Sequence, residues 1–341
     1  MNLDEKKINK LFFYWINISL ILVFFIIIVG GLTRLTNSGL SITEWELLKG
    51  ILPPLNNSSW QFYFNEYKKI PQYKLLNYDM NLDQFKIIFY WEYFHRILGR
   101  IIGLFFLIPL IYFYFSKKIK KDDLKICFII LTLIIIQGII GWYMVLSGLT
   151  NDVTVSHYRL SIHLTNAILI ISMLFWLIKR ISSKESKKFF IFSSKNLPFQ
   201  ILILIILLQI IVGAFVSGLD AGKIYQTWPL MGNNYVPDDF FYKNLGSYFQ
   251  LDNHSLVQFY HRNLAYFIIF YVLVLSLYIF KNKILNLYKP LKILLFFLFL
   301  QVILGIYTLI SGLNIYLASS HQITSVLLVF SALNLYYLRV K

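Results

Sequence analysis

The stretch "WEYFHRILGRIIGLFFLIPLIYFYF" (residues 91–115) decides the fold. Its second half is an unbroken apolar run, the material that crosses a hydrocarbon core of ~30 Å. Its first half carries Glu92, His95, Arg96 and Arg100. Ionisable groups at membrane depth are costly and mark function by default. A second stretch, "VQFYHRNLAYFIIFYVLVL" (residues 257–275), repeats the pattern with Gln258, His261 and Arg262. One explanation has to serve both.

Working outward, the 341 residues are 58% hydrophobic and only 14% charged. A soluble chain carries about a quarter charged residues, so the class is an all-α integral membrane protein. The aromatic share of 18% suits Tyr and Trp at both membrane interfaces. The net charge of +16 invites a nucleic-acid reading, but its distribution excludes one, because the basic residues fall in alternate loops. The single cysteine, Cys127, lies in an apolar run and reads as a small core hydrophobe. The N-terminal "MNLDEKKINK" lacks Arg and is partly acidic, unlike a mitochondrial transit peptide.

Eight apolar runs are long enough to span: residues 11–32, 87–115, 124–147, 158–179, 198–218, 256–280, 290–311 and 316–338. Lys and Arg concentrate at the N-terminus (Lys6, Lys7, Lys10) and in the second-to-third loop, from Lys117 to Lys125. They concentrate again from Lys179 to Lys195, from Lys281 to Lys292, and at Arg339 and Lys341. The positive-inside rule therefore predicts that both termini are cytoplasmic. Two opposite-side loops, 33–86 and 219–255, are too long for simple connections and predict short interfacial helices forming a lid. The connections "SGLTNDVTVS" and "SGLNI" predict turns.

The chain reads as two copies of a four-helix unit, residues 1–190 and 191–341. "IIIVGGLTRL" (26–35) resembles "QIIVGAFVSGL" (209–219), and "EYFHRILGR" resembles "QFYHRNLAY". "QGIIGWYMVLSGL" (137–149) resembles "QVILGIYTLISGL" (301–313), and His163 matches His321. With an even number of spans per copy, the two are parallel repeats, that is, two four-helix bundles in one orientation.

Four of the six histidines, His95, His163, His261 and His321, occupy repeat positions. All four lie near the starts of helices entering from the outer side. Paired at matched depth in a duplicated unit, they point to a metal or haem role rather than to core histidines bonding across helices. Two neutral imidazoles on different helices are the axial pair of a six-coordinate haem iron. Mononuclear zinc fits less well, since each copy offers two clear ligands. Gly30, Gly138, Gly141, Gly213 and Gly305 would let helices or a macrocycle approach closely. His157 and His254 lack repeat partners and read as interface or loop residues.

Arg96 and Arg262 directly follow their histidines, Arg100 lies one turn beyond, and Arg159 one turn before His163. Arginine suits the propionates of a haem. Snorkelling to headgroups serves Arg159 equally well and Arg100, deeper in its helix, less well. The copies differ where Glu92 in the first stands for Gln258 in the second, each three residues before its histidine. A carboxylate moves protons and an amide does not, which places chemistry in the first copy. On geometry alone Glu92 is equally an i, i+4 ion-pair partner of Arg96.

These segments, with "GGLTRLTNSGLSITEWELLKGILPPLN", "SHYRLSIHL" and "GLDAGKIYQTWPLMG", resemble the haem A synthase family over residues 30–337. The resemblance implies oxidation of a ring methyl of haem O to the formyl of haem A, for cytochrome oxidase. The steps implied are successive hydroxylations and loss of water from a hydrated aldehyde. It implies His95 and His163 as the pair for the substrate haem, with Arg96 and Arg100 beside it. It implies His261 and His321, with Arg262, as the pair for a permanent haem B, and Glu92 as the functional acid. The first outer loop lacks the cysteine pair of some members, so the chain resembles the cysteine-free alphaproteobacterial and mitochondrial type. With no transit peptide, the implied location is a bacterial inner membrane, with haem sites towards the periplasm. Contact with the haem O-producing farnesyltransferase and a homo-oligomer are compatible with the resemblance, and the electron acceptor is left open. A di-haem electron carrier of the cytochrome b kind is the alternative, but it needs no acid in one copy alone. A parallel-repeat transporter would put its polar residues at the midplane.

Overall fold

The computed structural model describes residues 3–44, 49–150, 152–183, 185, 187–189, 191–240, 246, 248 and 250–340. Part of the first outer loop (residues 45–48) and the predicted cytoplasmic Lys184 and Lys341 lie outside the described residues. Among the described residues ten α-helices follow in order: α1 (Leu3–Leu35), α2 (Asn57–Tyr67), α3 (Pro71–Leu76), α4 (Leu82–Ser116) and α5 (Lys121–Thr150). They continue with α6 (His157–Ser183), α7 (Leu197–Gly218), α8 (His254–Lys281), α9 (Tyr288–Ile310) and α10 (Ile315–Arg339). Among the described residues, eight of the helical segments are long and apolar enough to cross a membrane, and they match the eight predicted runs. The protein is a multi-pass membrane protein. Its outward faces are apolar, with Phe25, Ile108, Phe115, Leu277 and Phe299 exposed, as a lipid solvent requires. Cys127 is buried, as read from its surroundings.

Local chemistry sets the helix starts. Asn81 and Gln84 form a reciprocal capping box, so α4 begins at Leu82, earlier than the apolar run alone indicates. At 35 residues α4 is ~50 Å long, well beyond a ~30 Å core. Its first turns therefore stand clear of the span and serve the outer loop. Asn56, Asn253 and Asn314 cap α2, α8 and α10 through side-chain oxygens.

The first outer loop folds around its own aromatic core. Trp60, Phe64 and Tyr67 of α2 pack with Ile70, Leu40 and Val155 against Phe85 and Phe89 of α4. Leu40 seats on Gly148 of α5 so closely that an added Cβ there would stand 2.6 Å from it. The buried Tyr67 hydroxyl donates to Gln72 Oε1 at 2.9 Å and accepts from Asn77 Nδ2 at 2.7 Å. Burial pushes its pKa up to about 12. The helices predicted for this loop are thus present as α2 and α3.

Of the second outer loop, residues 241–245, 247 and 249 lie outside the described residues. Its described residues hold the 3₁₀ turn Ala221–Lys223, further 3₁₀ residues at 240, 246 and 248, and a bridge between Met231 and Asn234. Pro229 and Pro237 cannot donate in a helix, and Gly232 has φ +72, outside the helical region.

The chain divides into two compact units, Met1–Ile178 and Lys179–Lys341. In the first, α4 packs against α1 and α5, and Asn166 of α6 donates to Leu133 of α5 at 3.0 Å. In the second, α7 packs on α8, α8 on α9, α9 on α10 and α10 on α7, closing a ring. The last turn of α6 belongs to this second unit, where Arg180 donates to the Lys187 carbonyl at 2.8 Å.

Candidate functional site

Each unit brings two imidazoles together edge to face. His95 of α4 and His163 of α6 have ring centres 6.4 Å apart at an interplanar angle of 67°. His261 of α8 and His321 of α10 have ring centres 6.4 Å apart at 75°. Each ring lies against a glycine of the preceding helix. A Cβ on Gly30 would stand 3.1 Å from His95, and one on Gly141 would stand 3.1 Å from His163. On Gly213 it would stand 3.0 Å from His261, and on Gly305 it would stand 2.9 Å from His321. An added methyl would force a shift at Gly305 and press the ring by a few tenths of an ångström at the other three, so glycine here serves close approach. Gly138 departs from the expectation, since nothing lies within 4 Å of where its Cβ would stand.

Among the described residues no three His, Cys, Asp or Glu side chains converge as a metal cage. Two imidazoles per unit suit a metal that brings its other ligands with it, as a porphyrin iron does. Two imidazoles bound to one metal at ~2 Å each have ring centres ~6 Å apart, the separation both pairs show. Buried polar atoms left without a hydrogen bond, His163 Nδ1, Gln209 Oε1 and Gln301 Oε1, fit a site shaped for a further group.

Three glutamines surround the histidines, and the sequence reading overlooked them. Gln209 Nε2 donates to the His261 carbonyl at 3.1 Å and lies 3.2 and 3.3 Å from the two ring nitrogens. Gln137 Nε2 donates to the His163 carbonyl at 3.1 Å, and its Oε1 accepts from Asn166. His321 Nδ1 donates to the Gln301 backbone carbonyl at 3.1 Å, and its Nε2 lies 3.4 Å from Gln301 Nε2. The signal was present as Q-x-x-x-G in "QGIIG", "QIIVG" and "QVILG", one turn before each contacting glycine.

Glu92 is 2% exposed and accepts four hydrogen bonds. Oε1 receives Arg96 Nε at 3.0 Å and Nη2 at 2.6 Å. Oε2 receives Ser41 Oγ at 2.7 Å and the Ile42 amide at 2.9 Å. Arg96 Nη2 also donates to the Ile42 carbonyl at 2.9 Å. The ion-pair geometry is therefore realised, and it clamps the first outer loop to α4. The second unit repeats the clamp without the charge. Gln258 Nε2 donates to the Tyr225 carbonyl at 2.9 Å, while Arg262 donates to Tyr225 at 3.1 Å and to Leu230 at 3.2 Å.

Arg100 lines a small pocket with Arg96, Tyr93, Tyr63 and Ile42 beneath that loop. Arg159 stacks on the Tyr143 ring at 3.7 Å and donates to the Tyr143 carbonyl. His157 and His254 open α6 and α8, with His157 against the Tyr158 ring at 4.2 Å.

Comparison with known proteins bears on these paired sites. Residues 13–333 match the COX15-CtaA family, described as cytochrome oxidase assembly protein. The chain is 46% identical over 328 residues to the heme A synthase of Pelagibacter ubique, covering 93% of both chains. It is 42% identical over 336 residues to that of Rickettsia canadensis, covering 95% of this chain and 96% of the relative. With the heme A synthase of Flavobacterium johnsoniae it shares 38% identity over 331 residues, covering 93% and 94%.

Proposed function

The chain belongs to the haem A synthase family, whose substrate is haem O and whose product is haem A, and from that membership we propose how its two units divide the work. The first unit holds the substrate haem between His95 and His163. There a ring methyl is oxidised to a formyl group, the work of an oxidoreductase acting on a C–H bond. The second unit holds a permanent haem B between His261 and His321. When bound, that haem supplies one-electron transfer.

The observation that carries this division is the Glu92–Gln258 difference within otherwise matched clamps. Glu92 lies one turn from His95 and is buried, so a proton taken up or released there is not lost to bulk water. Arg96 pairs with the carboxylate at 2.6 Å and fixes its position beside the loop. Arg100, beside the pocket under the loop, is in reach of a propionate on the same side. In the second unit Gln258 and Arg262 hold the loop with no titrating carboxylate in the pair, as suits a site that only stores and passes electrons. The alternating lysine pattern supports cytoplasmic termini and an inner-membrane location, with both haem pairs towards the periplasmic side.

Extraction of pigments from alanine variants tests the assignment. His261→Ala and His321→Ala lose haem B, while His95→Ala and His163→Ala lose haem O and haem A and keep haem B. Retention of full haem B in both His261→Ala and His321→Ala would sink the division of roles.

A further inference from the structure

We propose that the second unit carries a site for an anionic phospholipid at the end opposite its histidines, built from Lys187, Lys283 and Arg339. The three line one cavity of about 470 Å³ together with Asn286, Leu285 and Leu338. That size falls within the roughly 300–1,000 Å³ of ligand pockets. The cavity lies at the edge of the spans. Lys283 follows the end of α8 at Lys281, Arg339 ends α10, and a span starts at Leu285. The way back along α8 to His261 is ~30 Å, so the site is separate from the paired imidazoles. Its walls are tied together. Asn286 Nδ2 donates to the Leu338 carbonyl at 3.2 Å, joining the α8–α9 turn to the end of α10. Lys187 Nζ donates to the Tyr337 carbonyl at 3.3 Å and Arg339 Nε to the Lys195 carbonyl at 3.2 Å, which joins the α6–α7 connection to the same helix end.

Three cations share this space, and among the described residues no carboxylate lines it. Glu185, itself exposed, reaches Lys187 at 3.0 Å and offsets one of the three charges. Among the described residues Arg339 donates through Nε alone, and the Lys283 ammonium has no hydrogen-bond or ion-pair partner. Like charges held together repel, and a bound anion relieves that repulsion. A guanidinium fork beside an ammonium suits a phosphate. The apolar wall decides which kind of phosphate. Leu285 is 71% exposed and opens the span Leu285–Ile310, so a phosphate in the cavity lays an attached tail along that helix. A choline headgroup would bring a further cation to the site, so the lipid is one of net negative charge. Basic pockets at the cytoplasmic ends of membrane helices bind such headgroups, and the orientation proposed above turns this end to the cytoplasmic leaflet.

The test uses full-length protein in non-ionic detergent, with the haem it carries, titrated with phosphatidylglycerol, phosphatidylcholine or inorganic phosphate. Bound lipid is counted by native mass spectrometry. Phosphatidylglycerol binds in preference to phosphatidylcholine. Lys283→Gln weakens its binding about fivefold, and Lys283→Gln with Arg339→Gln weakens it roughly thirtyfold. Lys118→Gln with Lys121→Gln, the same loss of charge in the first unit, leaves the affinity unchanged. Equal affinity for the two lipids, or an equal loss from the first-unit pair, overturns the inference. Displacement of the lipid by millimolar inorganic phosphate overturns it too, since the site then serves a soluble anion. Should the double variant fail to accumulate, Lys283→Gln decides alone, because that side chain is exposed and unchanged affinity there is equally fatal. Micelles have no sidedness, so a failed titration leaves the proposed orientation standing. Protease access to the C-terminus in sealed vesicles reads the orientation separately.

Discussion

Glu92 and Gln258 hold their outer loops with opposite hydrogen-bond polarity. Glu92 Oε2 accepts from the Ile42 amide at 2.9 Å, whereas Gln258 Nε2 donates to the Tyr225 carbonyl at 2.9 Å. The single change from carboxylate to amide therefore alters what the loop backbone must present as well as what the site can titrate.

Glu92→Gln separates these roles from folding. It leaves Arg96 without its buried partner, at a cost of about 3 kcal/mol. Haem A is lost and haem B is retained, as read from extracted pigments. Proteolysis within residues 33–56 rises, because the loop has lost its clamp. Wild-type haem A yield in this variant would remove Glu92 from the chemistry.

Glycine substitutions test the close approach of helix and imidazole. Gly141→Ala pushes a methyl to 3.1 Å from His163 and Gly305→Ala pushes one to 2.9 Å from His321. Each lowers haem occupancy of its own unit in the purified protein. Gly138→Ala, three residues from Gly141 with open space around it, leaves occupancy unchanged and gains up to about 1 kcal/mol of helix propensity.

Arg262→Ala removes the donors to Tyr225 and Leu230. Loss of charge-assisted bonds to backbone carbonyls costs about 2 kcal/mol. The 219–240 segment becomes open to protease cleavage while the first unit's haem content holds. Arg262→Lys restores protection only in part, because an ammonium lacks the fork that spans two carbonyls.

Tyr67 makes the first loop alkali-sensitive. Its folded pKa of about 12 lies above the ordinary 10.0, so the folded loop holds the phenol proton more tightly than the unfolded loop does. The associated stability is complete below pH 10 and is lost as pH rises through 12. The fluorescence of Trp60, in the same cluster, reports the transition. Tyr67→Phe abolishes this alkaline step but strands the buried Gln72 Oε1 and the half-buried Asn77 amide, costing roughly 1–3 kcal/mol at neutral pH.

The sequence alone determined the class, the eight spans, the duplicated four-histidine set and the Glu92–Gln258 difference. Those features are local. A bilayer forces each span to satisfy its backbone within itself, so apolar length is enough to read it. Repeat comparison then aligned His95 with His261 and His163 with His321 without any knowledge of contacts. The tertiary structure decided the rest, because contacts between helices depend on rotation and depth, which composition does not encode. Only there did Gly141, and not Gly138, meet an imidazole. Only there did Gln137, Gln209 and Gln301 emerge beside the histidines. The loops divided for the same reason. An aromatic cluster built on the extended start of α4 gave the first its α-helices, while prolines and a positive-φ glycine kept residues 225–239 of the second out of one. Both readings of Glu92, proton carrier and ion-pair partner, were open in the sequence. Its four bonds to Arg96, Ser41 and Ile42 make it the loop clamp, set one turn from His95.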